Sequence, residues 1–91
     1  MINPNDMANI RITILNLRKF MDSRHPDFIT IRTIFTYLEN LINSATGTGN
    51  VNSDAEGEII NCLDSLKSSL IDENLRKANE SLKQLILLLN L

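Results

Sequence analysis

The sequence contains no tryptophan, one cysteine, one histidine, two prolines and three glycines. A lone thiol closes no intramolecular disulfide, so nothing in the chain calls for an oxidising compartment. His25 and Cys62 lie far apart in sequence, and together they fall short of the closely spaced ligand set that a metal site needs. With three phenylalanines and one tyrosine, the core has to be aliphatic, and no row of aromatic side chains is available for stacking bases. Long apolar runs are absent as well. The longest, Leu85–Leu89 (LILLL), is far short of the roughly 20 residues that cross a bilayer. The opening MINPNDMAN has neither a basic start nor an apolar stretch, so no secretory signal is expected. A net charge of −2 excludes a generally basic protein that coats nucleic acid. These absences make a cytoplasmic protein without cofactor or metal the expectation, with no membrane partner.

What the sequence does hold is apolar residues in helical register. At 43% hydrophobic, the chain has enough for a packed core and too much for intrinsic disorder. Met7, Ile10, Ile14, Leu17 and Met21 recur at spacings of 3, 4, 3 and 4, the seam of an amphipathic helix. The alternation in IRITI (Ile10–Ile14) is a strand signal, but it is short and sits inside the longer helical seam. Asn3 suits the cap of this helix, Pro4 its first position and Asp6 its first turn. Pro26 then disfavours helix at His25 and can begin the next one. That second stripe is Phe28, Ile31, Phe35, Leu38 and Ile42, widened by Ile34 and Leu41.

The third stripe is Ile59, Leu63, Leu66 and Leu70, opened by Ser53 and Glu56 in capping-box spacing. The fourth is Leu75, Ala78, Leu82, Leu85 and Leu89. The two are out of phase, because continuing the third places Glu73, Lys77, Glu80 and Gln84 at apolar positions. A turn near 71–74 capped by Asp72 accounts for the slip; one long helix with a local phase change is the alternative. The expectation is an all-α four-helix bundle of two hairpins, with helices at about 4–22, 26–44, 54–70 and 73–90. It would form a single helical domain, 1–91, with 46–53 as a flexible interhelical linker.

The glycine-rich stretch TGTGNVNSDAEGE (46–58) raises the question of a ligand loop. A phosphate loop requires Gly-Lys-Ser/Thr, and Asn50 follows Gly49 instead; a dinucleotide fingerprint requires a third glycine where Asn52 stands. Asn52, Asp54, Glu56 and Gly57 imitate the early positions of a calcium loop, but the closing glutamate is replaced by Leu63. A hinge followed by an acidic helix start explains the stretch without a ligand.

No paired acid and base, activated nucleophile or metal cluster supports an enzyme. Two surfaces remain. The C-terminal LKQLILLLNL is apolar around nearly its whole circumference, which needs cover on several sides. Leu85, Ile86, Leu88 and Leu89 are the candidate interaction surface, toward a protein partner or a second copy in a homodimer. Arg11, Arg18, Lys19 and Arg32 are the candidate anion-binding set. The expected function is a non-enzymatic helical interaction protein of the adaptor, inhibitor or immunity type. The alternative is a small nucleic-acid-binding regulator, or a protein that sequesters an anion or nucleotide on its arginine face. The abundance of asparagine suits an AT-rich bacterial or phage genome.

Overall fold

A computed structural model describes residues 4–46 and 53–89, with the side chains of 4–45 and 57–89. It contains four helices: α1 (Pro4–Met21), α2 (Phe28–Thr46), α3 (Ser53–Ile71) and α4 (Leu75–Leu88). No strand occurs among the described residues. The chain divides into two compact units, Met1–Asn52 and Ser53–Leu91. Each is a helical hairpin, α1 packing on α2 and α3 on α4.

In the first hairpin the seam read from the sequence is the buried face. Ile10, Ile14, Leu17 and Met21 of α1 are buried, as are Ile31, Phe35, Leu38, Ile42 and Ala45 of α2. The IRITI segment is helical throughout. Its β-branched Thr13 is also buried, and its hydroxyl donates to the Asn9 carbonyl at 2.8 Å. That back-bond gives the buried hydroxyl the partner it needs. The turn between the helices corrects the expected start of α2 at Pro26. The helix begins at Phe28, and the hydrogen bonds of Asp27 make it the cap. Asp27 Oδ1 accepts from the Ile29 and Thr30 amides, and its Oδ2 accepts from the Thr30 hydroxyl. A proline has no amide to offer but can precede a cap, so Pro26 ends the turn rather than opening the helix.

In the second hairpin, Ile59, Leu63, Leu66 and Leu70 of α3 and Ala78, Leu82, Leu85 and Leu89 at α4 are buried. Ser69, buried beside Leu70, donates its hydroxyl to the Ser65 carbonyl at 2.8 Å. The two helices are separate, ending the alternative of one long helix with a local phase change. Their junction is a Schellman turn: the Asn74 amide donates to the Ser69 carbonyl at 2.8 Å and the Glu73 amide to the Leu70 carbonyl at 3.2 Å. Glu73 takes the left-handed position at φ 55°. The cap of α4 is Asn74, whose side chain accepts from the Lys77 amide at 3.2 Å. This replaces the expected cap at Asp72, which lies two residues earlier, at the end of α3. The proposed Asn3 cap, the Ser53–Glu56 capping box and most of the 46–53 linker lie outside the described residues and side chains.

Candidate interaction surface

The first hairpin presents one face that the inner seam does not use. In α1, Asn5, Ala8, Ile12, Leu15 and Lys19 recur at spacings of 3, 4, 3 and 4, a second seam on the side opposite Ile10, Ile14, Leu17 and Met21. All five are exposed. Ile12 keeps 57% of its surface accessible and Leu15 keeps 58%. Arg11 and Arg18, seven residues apart, flank this seam on one side, and Asn9 and Asn16 flank it on the other; all four are exposed. Between Met7 and Met21 the helix has no acidic residue.

Of the expected anion-binding set, Arg11, Arg18 and Lys19 therefore share the outer half of α1. Arg32 belongs to α2, and its Nε donates to the Phe28 carbonyl of its own helix at 3.2 Å. The arginines of α1 border aliphatic side chains rather than aromatic ones. Phe20 and Tyr37, the exposed aromatics, lie instead in a groove of about 470 Å³ between α1 and α2, with Thr13, Asn16, Thr33 and Ile34.

The expected C-terminal surface needs correction. Leu85 is fully buried and Leu89 keeps 3% of its surface accessible. Both stand in line with Ala78 and Leu82 on the buried face of α4. Ile86 and Leu88 are half-buried on its flanks. The residue left outside is Leu87, at 71% accessible, because it stands half a turn from Leu85 and Leu89. A composition that is apolar all round does not reveal which side finds cover; the folded chain does.

Leu88 also borders a shallow groove of about 460 Å³ between α3 and α4, lined with Glu58, Asn61, Cys62, Ser65, Glu80, Ser81 and Gln84. The Cys62 thiol is buried and donates to the Ser81 carbonyl at 3.0 Å. Burial pushes its pKa upward, so the neutral thiol is the favoured form and a nucleophilic thiolate is disfavoured. His25 is exposed in the α1–α2 turn, where the Ser23 hydroxyl accepts from its amide at 3.3 Å. Among the described residues, no three His, Cys, Asp or Glu side chains gather as a metal site would require. Leu63, at the place of a calcium loop's closing glutamate, is a buried core residue. No helix among the described residues is long and apolar enough to cross a membrane.

The sequence signal for the outer seam of α1 was present and was missed. Ile12 and Leu15 interrupt the polar side of the helix, a sparser signal than the leucine run of α4. Comparisons of this chain with protein-family models, with curated proteins and with solved structures gave no match.

Proposed function

We propose that this is a non-enzymatic helical interaction protein that docks a protein partner, or a second copy of itself, on the outer face of α1. The observation that carries this reading is the exposure of Ile12 and Leu15 side by side on a helix whose opposite face already fills the core. Two large aliphatic side chains left in water on one seam lose nothing by being covered, and a protein surface that covers them gains roughly 25 cal/mol per Å² of apolar area. The surrounding polar and cationic residues supply a rim that fixes the register of such a contact.

The test is the pair of substitutions Ile12→Asp and Leu15→Asp, separately and together. Both positions are exposed, so the helical content and melting temperature should stay near those of the wild type. Light scattering and quantitative affinity capture should then show the loss of a complex that the wild type forms. If the double variant keeps the same mass and retains every wild-type partner, this face is not the docking surface.

A further inference from the structure

The geometry points to an acidic amphipathic helix of another protein as the occupant of the outer seam of α1, selected by Arg11 and Arg18. This rests on the docking reading above and adds the chemistry of the partner. Ala8, Ile12, Leu15 and Lys19 follow the alternating spacing of a heptad seam. Ala8 allows close approach, Ile12 and Leu15 supply the apolar contacts, and the Lys19 stem can lie along the seam with its ammonium in water. Arg11 and Arg18 are one heptad apart and border that seam, the relation that flanking charged positions bear to the core of a paired helix. In such pairs the flanking charges choose the partner, and two arginines choose glutamate or aspartate.

Charge also decides against the other occupants. Arg11, Arg18 and Lys19 give this face three positive charges, and the nearest carboxylate after them, Asp22, lies past the end of α1. A second copy seated antiparallel on the same seam would set arginine against arginine, and a parallel one would set arginine against Asn9 and Asn16, so neither arrangement offers these arginines a carboxylate along the seam. A nucleic-acid backbone satisfies the cations but leaves Ile12 and Leu15 against phosphates, and the exposed aromatics that could stack on bases are in the α1–α2 groove instead. A helix with an apolar stripe and acidic borders satisfies both sets of side chains together.

The probe is a pair of synthetic helical peptides of about four heptads each, with Ile and Leu along the seam, one with Glu and one with Lys at every flanking position. Like charges keep each peptide from pairing with itself. Fluorescence anisotropy at low ionic strength should show the Glu peptide binding the intact protein at least about tenfold more tightly than the Lys peptide. Added salt should narrow that gap, because exposed charge pairs are screened. In the Arg11→Glu/Arg18→Glu variant the preference should reverse. In the Ile12→Asp/Leu15→Asp variant both peptides should lose affinity.

Equal binding of the two peptides, with loss in the Ile12→Asp/Leu15→Asp variant, would overturn the acidic partner while leaving the docking face in place. Peptide binding unaffected by Ile12→Asp/Leu15→Asp would overturn the docking face itself. Failure of the Glu peptide to bind overturns the inference. So does tighter, arginine-dependent binding to duplex DNA or to phosphatidylserine-containing vesicles, and so does self-association that Ile12→Asp abolishes.

Discussion

Asp27 shows how much local structure one side chain can hold. Its carboxylate accepts from the Thr30 hydroxyl and from the Thr30 and Ile29 amides. These bonds favour the charged form and set its pKa below the ordinary carboxylate value, the Thr30 hydroxyl contributing most. The sign of the pH effect follows. A depressed folded-state pKa contributes stability that is fully present above the unfolded-state value, near pH 4, and is lost as pH falls through the lower folded-state value. Thermal melts of the wild type and of Asp27→Asn should therefore converge as pH falls from neutral to about pH 2. The advantage of the wild type should be constant above pH 4 and shrink below it; a constant difference throughout would mean that the carboxylate is not the group that titrates. Cys62 illustrates the opposite case. Its burial against the Ser81 carbonyl favours the neutral thiol, so it serves the fold as a small apolar residue with one weak donor.

At the scale of the element, the α3–α4 junction holds a local conflict. A Schellman turn needs a left-handed residue, usually glycine, and here the position is Glu73. A side chain in that conformation costs roughly 1–2 kcal/mol, part of which glycine gives back in unfolded-state entropy. Glu73→Gly should therefore stabilise the protein by about 0.5–1 kcal/mol in denaturant unfolding, and a destabilised variant would contradict the turn described. The next residue acts in the other direction. Asn74 caps α4 through the Lys77 amide, and Asn74→Ala should cost about 1 kcal/mol. The turn was legible in the sequence only as a phase shift between Leu70 and Leu75. Its chemistry was not, because neither Gly nor Pro marks it and the left-handed residue is an ordinary glutamate. Capping at α2 was obscured in a similar way: Pro26 and the adjacent Asp27 both suit a helix start, and only the hydrogen bonds accepted by the Asp27 carboxylate show which one caps the helix.

For the whole molecule, the question is how 91 residues keep their apolar surface out of water. A chain of this size buries roughly 60–65% of its unfolded surface, so some large side chains stay outside. Ile12, Leu15, Ile29, Ile71 and Leu87 are among them. Among the described residues, only on α1 do two of these stand together on one seam bordered by cations. If Arg11 and Arg18 keep a second copy off that seam, the melting temperature should not change as protein concentration rises over about a hundredfold, because no association is then linked to folding. A melting temperature that climbs with concentration would instead point to self-association as the way the apolar surface is covered.

The sequence by itself determined that this chain is helical, where the helices lie to within a few residues, and which residues form the inner seams of α1, α2 and α3. Those facts follow from the 3.6-residue period, which every turn of chain repeats locally. Only the tertiary structure decided the fate of residues that lie off a single clean stripe. In α4 the apolar residues surround the helix, and folding took Leu85 and Leu89 inside while leaving Leu87 in water. In α1 one seam was taken for the core and the other was left facing solvent. Periodicity states which residues share a face; burial is a property of what lies across from that face, and the partner across from it is fixed only when the chain has folded.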